Sequence, residues 1–299
     1  MSKTITKLIV DLGWSLWSEF GVPGVVRNHA HVAIDPEPLI VFSPWLFRDD
    51  ARLQDEVVRW CVAHADRISA SRLHGLLKAT SPDVTAAFHT MATTLRAHGV
   101  PWTKTKASEE LETTTSKPLA LPTTRPALIR LRLRAVAGVG ARADVLAELL
   151  GHRGRWLIAS DLQHLGYSKR NVARVLGELA DAGVVEARAD KNAVGFRLSA
   201  STLSELVGGQ KLAWPSWAAL LAFVEDVQRL SGDASKSHVV RRVASTKAAA
   251  RFTVTSTQLN LTRPAVPATE PWSAVVGWAE EQVSAVVDGT SPAFVVAPK

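Results

Sequence analysis

Ser168, Lys169, Arg170, Asn171 and Arg174 follow one another closely, and Arg188 and Lys191 come a little further along the chain. These residue types suit the reading of a nucleic acid. Arginine can grip guanine, and asparagine can grip adenine, through two hydrogen bonds each in the major groove of duplex DNA. Arg188 and Lys191 suit phosphate oxygens or a minor groove. Ser168 can accept a bond from a backbone N–H in the first turn of a helix, where a phosphate could also sit.

The elements that must hold these side chains are readable from periodicity. Val172, Val175, Leu176 and Leu179 recur at i, i+3, i+4 and i+7 and make one apolar stripe. Lys169, Arg170, Arg174 and Glu178 fall on the opposite face, and Gly183 suits the helix end. A shorter helix precedes, with Leu162 and Leu165 inward and Gly166 in the turn; Ile158 stands where a Ser or Thr cap would be expected. Earlier still, Val145, Leu146, Leu149 and Leu150 fit a helix from about Ala141 to Gly151. Strands are expected at Val184–Ala189 and Val194–Leu198, around the polar tip Asp190-Lys191-Asn192. Phe196 and Leu198 would face inward and Arg197 outward, with Trp156 packed under the hairpin.

The run SKRNVARVLGELADAGVVEAR, followed by GFRLS, resembles winged helix-turn-helix regulators of the MarR/ArsR type, over about 142–199 and not beyond. The resemblance implies a sequence-specific regulator of transcription that binds double-stranded DNA, expected to act as a repressor and as a homodimer on a pseudo-palindromic site. Ser168, Lys169, Arg170, Asn171, Arg174, Arg188 and Lys191 are then the DNA-binding residues. Winged helices also serve as protein-binding modules. The alternative is therefore a non-catalytic interaction module, such as an antitoxin or adaptor, marked by an exposed apolar patch and no affinity for DNA. A third reading adds a small-molecule or protein effector acting on the flanking blocks.

Charge distribution favours the DNA reading. The chain of 299 residues has a formal net charge of +7. Residues 125–200 hold 13 Lys and Arg against 7 Asp and Glu, a net of +6, so nearly all the excess lies in and just before the proposed module. Such a face attracts phosphates and makes affinity salt-dependent. The single cysteine, Cys61, excludes an intrachain disulfide and suits a reducing cytoplasm. Lys3, Lys7 and Asp11 interrupt the apolar N-terminal pattern, against a signal peptide, and Leu212–Val224 is too short to span a bilayer.

The chain is expected to be mainly α-helical and multi-domain, with a small β-hairpin. The expected blocks are helical 1–102, a linker at 103–126, the 127–200 module and helical 201–299. The linker is rich in Lys, Ser, Thr and Glu and contains three prolines; Leu119–Leu121 could dock on a neighbour. Asp35-Pro36-Glu37-Pro38 is expected to break the chain, and Leu39–Phe42 fits either a strand or a helix start. Arg72, His74 and Lys78 give one N-terminal helix a mildly basic face. Ten tryptophans against one tyrosine point to aromatic cores, an interface or an aromatic ligand pocket.

Catalysis is not expected. Gly138-Val139-Gly140-Ala141-Arg142-Ala143 matches a dinucleotide fingerprint, and Leu128–Val136 could be the strand before it. Arg130, Arg132 and Arg134 alternating with leucines oppose a central parallel strand; the glycines more simply join a linker helix or an edge strand to the first helix, and the three arginines could then add phosphate contacts. His29 and His31 near Asp35 fall short of the three or four converging ligands a metal needs and read as solvated loop residues. Cys61 falls on an apolar helix face and reads as core. No catalytic group, metal or cofactor is assigned.

Overall fold

The computed structural model describes residues 3–24, 26–102, 120–152, 154–190, 193–199, 201, 202, 205, 212–265 and 271–295. Most are helical, and the sheet they contain is a two-stranded antiparallel hairpin.

The first part of the chain supplies α1 (Lys3–Glu19), α2 (Pro36–Leu46), α3 (Ala51–Ala63), α4 (Ala70–Leu77) and α5 (Pro82–Ala97). The last part supplies α9 (Trp217–Gly232), α10 (His238–Leu259) and α11 (Pro271–Val287). All eight helices share one hydrophobic core, so the first and last blocks of the sequence fold against each other. Its centre is α2, PEPLIVFSPWL, buried around almost its whole circumference, as a helix apolar on every face must be. The Asp35–Pro38 segment therefore opens a buried helix where a break was expected, and Leu39–Phe42 lies within that helix. Asp35 stands extended before it and Pro36 opens it, where a missing N–H costs nothing.

Aromatic side chains fill the space around α2. Trp17 and Phe20 each pack against Trp60, with ring centroids 5.4 and 5.2 Å apart. Their polar atoms are satisfied: the Trp60 indole donates to the Phe20 carbonyl at 3.0 Å, and the Trp17 indole to Ser43 Oγ at 3.0 Å. Buried Cys61 joins this core, where burial pushes its thiol pKa up.

The middle of the chain supplies α6 (Ile129–Ala137), α7 (Ala141–Gly151), a 3₁₀ helix (Ala159–Leu165), α8 (Lys169–Asp181), β1 (Val185–Asp190) and β2 (Ala193–Leu198) around a second core. The possible strand over Leu128–Val136 is thus a helix. Gly138 and Gly140, with φ of 78° and 157°, turn it directly into α7. Ala33, from the first part of the chain, packs in the second core, and its N–H donates to the carbonyl of Ala213, in the larger core, at 2.8 Å. Residues 103–119 lie outside the described residues; Leu121 packs against the larger core.

Candidate nucleic-acid interface and the ion cluster behind it

Helix α8 begins as its sequence requires. Ser168 is extended and its hydroxyl accepts from the Asn171 N–H at 3.2 Å, satisfying one of the donors a helix start leaves unpaired. Val172, Val175, Leu176 and Leu179 are buried. On the other side, Lys169 and Arg170 are exposed. Asn171 and Arg174 are held by neighbours on the same helix: Arg174 donates to Asn171 Oδ1 at 3.0 Å and pairs with Glu178. Arg142 reaches Glu178 at 2.6 Å. The hydrogen bond from Arg142, with the charge of Arg174, holds the Glu178 carboxyl below its usual range.

The hairpin beside α8 pairs Val185 with Leu198 and Arg188 with Gly195. A third extended segment joins it through Leu157, which exchanges hydrogen bonds of 2.9 and 2.8 Å with Phe196. Trp156 carries two guanidiniums, Arg188 at 4.5 Å and Arg197 at 4.6 Å from its ring centroid. These cation–π contacts position Arg188 on the outer surface of the hairpin. Lys191 lies outside the described residues.

Behind α8 sits a buried cluster of charges. Arg134, fully buried, pairs with Glu37 at 2.6 Å and Asp144 at 2.8 Å and donates to the Arg67 carbonyl at 2.9 Å. Arg130 pairs with Glu148 at 2.8 Å and Asp144 at 3.3 Å. Arg72 donates to Asp35 at 2.9 Å and pairs with Glu37. Burial alone would raise the carboxyl pKa values of Asp35 and Asp144, but the guanidiniums outweigh it and hold both low. Arg130 and Arg134 are therefore internal ties and make no phosphate contacts, and Arg72 is turned inward, away from any basic face. A side chain this deep in protein must be paired to remain charged.

The cluster ends on the elements that carry α8. Tyr167, between Gly166 and Ser168, donates its hydroxyl to Asp144 at 2.8 Å. Burial, reinforced by the charge of Asp144, pushes the phenol up to about 12. His164, on the 3₁₀ helix, lies 3.3 Å from Glu148. Hydrogen bonding to Glu148 raises the His164 pKa; the Glu148 carboxyl, despite burial, is held at about 2 by His164 and Arg130.

His29 was expected in solvent and is buried. Its Nε2–H donates to the Val286 carbonyl at 2.8 Å, which leaves Nδ1 of the neutral ring to accept from Ser15 Oγ at 2.8 Å, and burial lowers its pKa to about 4. The rings of Phe294 and Trp217, from far later in the chain, pack beside it with centroids 5.6 and 6.3 Å away, which no local pattern announces. His31, by contrast, is exposed and reaches the Gly289 carbonyl at 3.0 Å. No helix among the described residues is long and apolar enough to cross a membrane.

Tyr167 and the Trp156–Arg197 stack escaped the sequence reading. A signal for the cluster was present: Arg130 and Arg134 are spaced by four residues, as are Asp144 and Glu148, so two successive helices carry complementary stripes. Comparison with protein-family models, curated proteins and solved structures finds no match to this chain.

Proposed function

We propose that residues 127–200 form a winged helix-turn-helix domain and that the chain is a sequence-specific regulator of transcription, a repressor that binds double-stranded DNA as a homodimer. In this reading α8 enters the major groove, with Lys169 and Arg170 meeting bases first. Asn171 and Arg174 exchange their mutual contact for base contacts, Ser168 caps the helix beside a phosphate, and Arg188 and Lys191 hold the flanking backbone.

One observation carries the reading: Lys169 and Arg170 stand exposed at the N-terminal end of a helix whose opposite stripe is fully packed. That end also presents unpaired N–H groups and the positive pole of the helix dipole. Charge agrees. The buried cluster withdraws Arg130 and Arg134 together with Asp144 and Glu148, so the basic excess of this region remains on its surface.

A second reading has its own support. Val239, Val240 and Val243 lie exposed near the start of α10, at 70%, 45% and 49%, and could meet a protein partner. Fluorescence anisotropy with DNA from upstream of the gene, against scrambled DNA over a salt series, separates the two. Preferential binding that weakens steeply with salt supports the regulator. No binding even at low salt favours the interaction module.

A further inference from the structure

A cleft of about 490 Å³ opens between α2, α4, α7, the 3₁₀ helix and the segment entering α9. That is the size of small-ligand sites. Its lining combines Trp214, Trp217, Pro38 and Leu76 with Asp35, Glu148, Arg72 and Arg130.

The sign of the charge that an incoming molecule would meet follows from exposure. Arg72 and Arg130 keep only 8% and 4% of their side chains open, each turned into carboxylates. Asp35 and Glu148 keep 15% and 17% open. The carboxylates are thus the more exposed members of these pairs, though each is itself held, Asp35 by Arg72 and Glu148 by Arg130 and His164. The balance of the cluster points the same way: Arg72, Arg130 and Arg134 face Asp35, Glu37, Asp144 and Glu148, three cations against four carboxylates. His164, 3.3 Å from Glu148, matches the fourth carboxylate when protonated, so the cluster carries a net negative charge only while His164 is neutral. Indole faces beside carboxylates suit a cation with an aromatic body.

We propose that this cleft binds a small primary aryl-alkyl amine, with its ammonium group at Glu148 and Asp35 and its ring against Trp214. An anion of the same shape is disfavoured, because the charges it would meet that keep the most exposure are the carboxylates. His164, Leu165 and Gly166 also line the cleft. The ligand would therefore touch the 3₁₀ helix and the turn that set α8. Binding itself does not depend on the DNA reading; only this regulatory consequence rests on it.

The test is calorimetric titration of the full chain, without DNA, with 2-phenylethylamine, 2-phenylethanol and phenylacetate. The amine should bind saturably, at least ten-fold more tightly than the alcohol or the acid. Glu148→Gln keeps an acceptor for Arg130 but removes the charge, and should weaken the amine at least ten-fold while leaving the alcohol unchanged. Gly75→Leu supplies a second, independent variant. Gly75 lines the cleft, and a Cβ there meets nothing within 4 Å, so the larger side chain should block the cleft without disturbing the core and abolish amine binding. If Glu148→Gln fails to fold, Gly75→Leu decides alone. Absence of amine binding, phenylacetate binding as tightly as the amine, or amine affinity unchanged in Gly75→Leu would overturn the proposal.

Discussion

The hydroxyl of Tyr167 donates to Asp144 Oδ2 at 2.8 Å, joining the turn before α8 to the carboxylate that also receives Arg134 and Arg130. The start of the proposed reading helix is thereby tied to α7, and through Arg134 and Glu37 to α2 at the centre of the larger core. Removing this hydroxyl should cost about 1.5–3 kcal/mol, the range for a hydrogen bond to a charged group. Urea denaturation of Tyr167→Phe measures it. A loss below a few tenths of a kcal/mol would show that the bond does not hold the helix in place.

Arg134 faces a larger penalty. Its guanidinium is fully buried between Glu37 and Asp144. Arg134→Met takes one partner from each of two sealed carboxylates, leaving Arg72 on Glu37 and Arg130 and Tyr167 on Asp144, and should destabilise the fold by about 3 kcal/mol, the low end for breaking a buried pair. Adding Glu37→Gln to Arg134→Met should cost less than the two single changes summed, because the first change has already removed one partner. Strict additivity in a double-mutant cycle would contradict the pairing.

Three substitutions test the roles assigned in the proposed DNA reading. Arg170→Ala should cost about 1–3 kcal/mol of specific binding and relax preference at one base pair, and Lys191→Ala should weaken all sequences alike. Glu178 ties up Arg174 and Arg142 and adds a negative charge to the face. Glu178→Gln should therefore tighten binding to any duplex and steepen its salt dependence. Weaker binding by Glu178→Gln would mean that the carboxylate positions Arg174 for the groove.

Acid should destabilise the protein through His29. Its pKa is lowered from 6.5 to about 4, so the unfolded state binds more protons between those values. Stability is then retained above the unfolded pKa and declines as pH falls from about 6.5 towards 4, by up to roughly 3 kcal/mol. His164 has the opposite sign: its raised pKa contributes stability below pH 6.5 that is lost as pH rises through the folded value. Its exposure makes that contribution the smaller one. Denaturant titrations at pH 7.5 and 4.5 should show the wild type losing more stability than His29→Gln, and an equal loss in both would assign the acid sensitivity elsewhere.

Local pattern determined much of the molecule. The stripe Val172, Val175, Leu176 and Leu179, the cap at Ser168 and the turn at Gly166 require only neighbours in sequence, because helix period and capping are local physics. The hairpin, with its alternation at Phe196 and Leu198, is legible for the same reason. What only tertiary structure decided is which charges are inside. Arg130 and Arg134 look, as sequence, like a basic face; they are buried because Glu37, from far earlier in the chain, and Asp144 meet them there. His29 likewise becomes a core group because α11, at the other end of the chain, closes over it through the Val286 carbonyl. The blocks at either end of the sequence each carry apolar faces, and nothing local says that those faces bury one another. A charged side chain is stable in a core only where a partner of opposite sign arrives; the spacing of Asp144 and Glu148 hints at one such partner, but no local pattern carries the address of Glu37.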